Sequence, residues 1–182
     1  MRGPLDLSRE LLQAEVLHEI VHLPRRIDDA MELPDVLGMP HGACVTVRLY
    51  DAGARLVAAL VPAGTIPATT AIAGASWARR LDPLTDPAKI CALTDCHPYL
   101  VPPVGLARDT VVVADAALAE SEIVFTPTGD GSTALKIRSD DLLSLTRAVV
   151  APLVEPGAVT GDAARAAQPA WRDDRSPLHA RP

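Results

Sequence analysis

The chain has 182 residues, 48% of them hydrophobic and only 3% aromatic, with a formal net charge of −6. That length fits one globular domain with a core of Ala, Val and Leu. Its seventeen basic residues cluster no further than Arg25-Arg26 and Arg79-Arg80, which argues against a general binder of DNA or RNA backbones, because phosphate affinity needs concentrated positive charge.

In chain order, residues 5–19 place Leu7, Leu11, Leu12, Val16 and Leu17 at helical spacing, with Ser8 as the expected N-cap. Residues 20–23 read as a short strand and Arg25-Arg26 as a turn. Asp28 and Asp29 open a second helix running to Gly38, with Pro34 as an interruption inside it. Residues 43–50 and 55–61 are β-rich runs joined by Asp51-Ala52-Gly53-Ala54, a hairpin pattern. Helices are expected over 67–77 and 86–93, the second with Thr85 as N-cap and Pro87 in its first turn. A proline-rich loop follows.

Strands over 110–114 and 122–126 flank an alanine-rich helical turn at 116–120, for which Asp115 is the expected N-cap. After a turn at 126–132, in which Gly129-Asp130-Gly131 suits a hairpin better than a phosphate cradle, a strand over 133–138 enters a helix over 139–149. Ser139 is its expected cap, and Asp140 and Asp141 favour its positive end. From about residue 156 periodicity gives way to Pro, Ala, Arg and Asp, the composition of a disordered tail. The expected organisation is therefore a domain over 1–155 and a tail over 156–182. The fold class is α+β, a mixed curved sheet or partly closed barrel with flanking helices around a small pocket.

No stretch approaches the ~18 apolar residues of a membrane span, and no secretory signal opens the sequence. A cytoplasmic setting with Cys44, Cys91 and Cys96 reduced is expected. These cysteines, with His22, His41 and His97, do not fall at zinc spacing, and nucleotide-binding and serine-hydrolase signatures are missing. Neither a metal nor another cofactor is expected. Asp95-Cys96-His97 invites a thiolate–imidazole nucleophile pair, with a packed thiol as the alternative. His18 and His179 read as surface residues, and Cys91 as one on the apolar side of its helix.

Three stretches carry a family resemblance. The hairpin strand reads Ala43-Cys44-Val45-Thr46-Val47-Arg48-Leu49 and its return strand ends Leu60-Val61-Pro62. The loop keeps Thr94, Pro98, Val101, Pro102, Pro103, Gly105 and Leu106 of a T-G-x-x-P-G-x-V-P-P-x-G-L pattern. The late helix reads Asp141-Leu142-Leu143-Ser144-Leu145-Thr146-Arg147-Ala148. Over residues 14–154 the chain resembles the YbaK-type aminoacyl-tRNA deacylase family, which includes prolyl-tRNA editing domains. The resemblance implies a pocket between the hairpin and the loop. His22, similar to the family's entry segment, would help form it with Val45, His97, Pro98, Val101, Pro102 and Gly129.

The chain departs from the pattern at functional positions. Val45 stands where relatives carry a lysine near the ester, and Asp95 and Tyr99 replace loop glycines whose N–H groups approach the acyl group. Lys136 stands where some relatives place an acidic pocket residue. The resemblance thus points to Lys136, Thr46, Asp95 and Tyr99 as the candidate catalytic groups, with a solvated Lys136 as the alternative. Two functions follow. One is a hydrolase that removes a small mischarged amino acid from the 3′ end of tRNA, with an aminoacyl-tRNA synthetase as the implied partner. The other is a catalytically altered or inactive relative that binds a small aminoacyl-like or nucleotide-like ligand, or runs another reaction. Neither involves DNA or a membrane.

Overall fold

The computed structural model describes residues 3–155; the expected tail lies outside them. Helix α1 (Pro4–Gln13) buries Leu7 and Leu11 and leads into β1 (His18–His22). Its N-cap is Gly3, with Pro4 in the first turn. Ser8 lies within the helix and meets Nε2 of His18 at 2.9 Å, while Nδ1 of that ring meets the Val16 carbonyl oxygen. A 3-10 turn at Ala30–Glu32 and the short α2 (Leu33–Leu37) follow, α2 ending at Gly38 in the left-handed conformation. The hairpin is β2 (Val45–Asp51) and β3 (Leu56–Pro62), paired in full from Val45↔Pro62 to Asp51↔Leu56.

Next come α3 (Thr69–Ser76), β4 (Asp82–Pro83) and α4 (Pro87–Thr94). The cap of α4 is Asp86, not Thr85, and its carboxylate accepts from the N–H groups of Ala88 and Lys89. The chain continues through β5 (Val111–Asp115), α5 (Ala116–Ala119), β6 (Ile123–Pro127), β7 (Thr133–Arg138), α6 (Ser139–Thr146) and β8 (Val149–Ala151). Asp115 caps α5 as expected and also ties down the chain end, its Oδ2 accepting from the N–H groups of Leu153 and Val154. Ser139 is the first helical residue and not the cap; its hydroxyl donates to the Leu118 carbonyl at 2.6 Å. The expected helix over 139–149 stops early because residues 149–151 pair in parallel with β5.

The strands form two sheets and no closed barrel. One is antiparallel, in the order β1-β7-β6; the other is mixed, in the order β4-β2-β3-β5-β8. Among the described residues a single bridge, between Cys44 and Phe125, links them. Between the sheets lies the main core: Val45, Leu49, Leu60 and Ala114 from the mixed sheet, Val124, Leu135 and Ile137 from the other, and Leu11, Leu118 and Leu142 from helices. On the far face of the mixed sheet Tyr50, Val57, Val61 and Val113 form a second cluster with Ile72 of α3 and Leu153. The mixed sheet is thus covered on both faces, which explains why β3 is apolar on both sides. Fully burying each such Leu or Val contributes roughly 1.5–3 kcal/mol.

Candidate functional site

Strand β2 positions the site. On one side it pairs with β3 throughout. On the other, β6 touches its start through the Cys44 bridge and β4 covers only Tyr50 and Asp51, with the Leu84 N–H donating to the Leu49 carbonyl. No described strand covers the interval between. A cavity of about 290 Å³ fills it, lined by Thr46 to Tyr50 of β2, Asp29–Met31, Ile66, Pro67, Thr69, the segment 83–85, Ile90, and Pro98, Tyr99 and Val101 of the proline-rich loop. This is the small end of the ~300–1,000 Å³ typical of small-molecule sites.

The loop is held in place from both ends. Asp95 ends α4 in the left-handed conformation (φ 54°), and the Thr94 hydroxyl donates to the Ile90 carbonyl. Tyr99, by contrast, is not in the left-handed region, so its side chain is accommodated without strain and becomes part of the cavity wall. The buried side chains of Leu100, Val101 and Val104 anchor the loop in the core. The Ala30 N–H donates to the Tyr99 carbonyl at 3.0 Å, tying the loop to the Asp29–Met31 wall. Asp29, 7% exposed, accepts from the Met31 N–H at 2.8 Å.

Period-two alternation divides β2. Val45, Val47 and Leu49 face the main core, whereas Thr46, Arg48 and Tyr50 face the other way. The Thr46 hydroxyl donates to the Val61 carbonyl and Nη2 of Arg48 reaches the Thr65 carbonyl at 3.5 Å, the long limit of such a bond. The Arg48 Nε is buried without a hydrogen-bond partner. Burial raises the Tyr50 pKa above the ordinary phenol value, partly opposed by the Arg48 charge, so that phenol is neutral at physiological pH. Arg48 and Asp29 are the charged side chains among the lining residues.

Of the candidate residues read from sequence, Thr46, Pro98, Tyr99 and Val101 line this cavity. The others lie outside its lining. Lys136 is an ion-pair partner of Glu19 across the β1–β7 pair, at 2.9 Å on the outer surface. Val45 is wholly buried in the main core, Asp95 is exposed, and His22 is exposed on β1 opposite Thr133. Pro102 is buried behind the loop, and Gly129 forms the β6–β7 turn with φ 96°. His97 stands just outside the lining, its ring edge-on to Tyr99 at 5.7 Å and its buried Nδ1 without a hydrogen-bond partner. The Cys96 thiol donates to the Thr94 carbonyl, which makes it a packed group and not half of a nucleophile pair. Cys91 is exposed, not on an apolar face. Among the described residues no three His, Cys, Asp or Glu side chains gather as metal ligands, and no helix is long and apolar enough to cross a membrane.

The lining residues all fall within residues 25–145, which match the family model of the aminoacyl-tRNA editing domain. The chain belongs to the aminoacyl-tRNA editing domain family. No protein of curated function matches its sequence significantly. Solved structures share the editing-domain fold. One was provisionally assigned as a trans-editing enzyme for prolyl tRNA synthetase, with 21% identity, a TM-score of 0.73, and coverage of 86% of this chain and 99% of that one. The hypothetical protein APE2540 superposes at TM-score 0.74 with 19% identity, over 82% of this chain and 99% of its own. A third, from work on scaffolds for grafted linear epitopes, is 25% identical at TM-score 0.69, over 84% and 93%. In this editing domain, the residues that sequence reading missed are Asp29, Arg48 and Tyr50. A polar alternation, Thr46-Arg48-Tyr50, inside an otherwise apolar strand was the available signal.

Proposed function

We propose that the cavity is the acyl pocket of an aminoacyl-tRNA deacylase of the YbaK type, which hydrolyses the ester between a small mischarged amino acid and the 3′ end of tRNA. The observation that carries this reading is the cavity itself. Its volume of about 290 Å³ has room for an aminoacyl group between β2 and the 98–101 loop. The apolar side chains of Ile66, Leu84, Ile90 and Val101 would contact the amino-acid side chain. Discrimination then rests on volume, at about 1–3 kcal/mol per methylene. The Asp29 carboxylate would receive the α-ammonium group, and the Thr46 and Tyr99 hydroxyls would hold the ester and the attacking water. The net charge of −6 leaves little affinity for the tRNA body, so a synthetase partner would supply it.

A second reading has its own support. The position at which the resemblance implies a cation holds Val45, buried in the core, and Lys136 is paired with Glu19. The protein would then bind an aminoacyl-like ligand without hydrolysing it. A deacylation assay with tRNAs charged with Ala, Pro, Ser and Cys separates the two. Enzyme-dependent release of one amino acid, at rates at least tenfold over spontaneous hydrolysis, is the expected result. No release from any of the four charged tRNAs favours the second reading.

A further inference from the structure

We propose that Arg48 is the oxygen-anchoring residue of the cavity, its guanidinium donating to the carbonyl oxygen of the bound acyl group. The inference rests on the deacylase reading for its hydrolytic step, though not for binding. Arg48 shares a face of β2 with Thr46 and Tyr50 and lines the cavity with them. Across the ladder it faces Ala59, which has no polar side chain to offer. Among the described residues its one hydrogen bond is the 3.5 Å approach of Nη2 to the Thr65 carbonyl, and the buried Nε has no hydrogen-bond partner. The buried Nε without a partner is a cost, and the terminal Nη2, held by one long hydrogen bond, is the donor that a ligand can reach. The planar fork of N–H donors suits an oxygen that carries or develops negative charge.

In the hydrolytic step the water oxygen bonds to the acyl carbon and the carbonyl oxygen becomes the oxyanion of a tetrahedral intermediate. That intermediate collapses by breaking the bond to the ribose oxygen, which leaves with one of the water's protons. The other proton is released by the carboxylic acid product. Arg48 neutralises the oxyanion, and the low-dielectric surroundings of the cavity strengthen that contact.

The test uses wild type, Arg48→Lys and Arg48→Ala, each checked for an unchanged melting temperature. Isothermal titration with 3′-deoxy-3′-alanylamido-adenosine, a non-hydrolysable mimic without a phosphate, measures the anchor alone. The expected result is a loss of affinity of about tenfold or more for Arg48→Ala, with Arg48→Lys intermediate. AMP, which has a phosphate and no acyl group, should bind all three proteins equally. Equal affinity of wild type and Arg48→Ala for the mimic overturns the proposal, as does a loss that AMP reproduces, which would make Arg48 a phosphate ligand.

Single-turnover deacylation adds a second readout. Arg48→Ala should fall by about 100-fold, with partial rescue by added guanidinium. If wild type binds the mimic through Arg48 yet releases no amino acid, the deacylase reading fails while the anchor stands. If wild type deacylates and Arg48→Ala matches it, the anchor fails and the deacylase reading stands.

Discussion

The open edge of β2 and the β6–β7 turn handle polar groups in opposite ways. In the turn, one Asp130 oxygen accepts from the N–H and hydroxyl of both Ser132 and Thr133, at 2.8–3.0 Å, and the Thr128 and Thr133 hydroxyls meet at 2.7 Å. At the β2 edge, Arg48 keeps a buried donor without a partner. The turn's hydrogen bonds close on themselves, so its polar residues act in folding. The edge is left incomplete by the fold, so its polar residues act on something that enters. Variants in the two regions should therefore part company, the turn variants losing stability without losing ligand and the Arg48 variants doing the reverse.

The largest expected effect comes from Val45→Lys. Val45 is wholly buried in the main core, so an ammonium there lacks both water and partner. Urea unfolding should show a loss of about 4 kcal/mol or more, or no folded protein at all. A folded, stable Val45→Lys protein would show that a side chain at position 45 reaches the cavity or solvent. Next is Gly131→Ala. A Cβ at Gly131 would overlap the Ile27 carbonyl oxygen, whose own N–H donates to the Gly131 carbonyl. A loss of about 2–3 kcal/mol is expected, with mimic affinity unchanged per folded molecule.

Asp130→Ala should cost about 1–2 kcal/mol at neutral pH. Burial alone would raise the Asp130 pKa, but the hydrogen bonds from Ser132 and Thr133 outweigh it and hold the carboxyl below its ordinary value. A depressed native pKa means that the stabilisation is complete above the unfolded value of about 3.9 and is lost as pH falls through the native one. The gap between wild type and Asp130→Ala should therefore narrow below about pH 4 in urea titrations. Lys136→Ala, at the surface pair with Glu19, should change stability by less than about 0.5 kcal/mol and leave binding and turnover alone. A defect in turnover there would return Lys136 to the site.

Much of the fold was legible because local chemistry and tertiary structure agree. The hairpin, the strand before the late helix and the Asp115 cap all follow from alternation and capping patterns. What escaped was set by partners distant in sequence. Residues 149–151 look like the end of a helix until β5 is there to pair with them. The partition into two sheets depends on where β6 leaves β2. At the site, the family pattern drew attention to Val45 and Lys136, whereas the open edge of β2 brings Thr46 to Tyr50 to the cavity. Arg48 is separated from Thr46 by one strand period, and that step placed the cation. Asp29 was read only as the opening of a helix, and its place in the wall depends on the bond between Ala30 and Tyr99.

The three thiols differ sharply in accessibility. Cys44 is buried, with burial pushing its pKa up to about 12, and Cys96 is 2% exposed, while Cys91 is exposed on α4 immediately after Ile90 of the cavity wall. A maleimide dye added to the native protein should thus couple at one position, next door to the pocket. The unmodified sequence already offers a site-specific fluorescent reporter of occupancy, with no cysteine to engineer in or out.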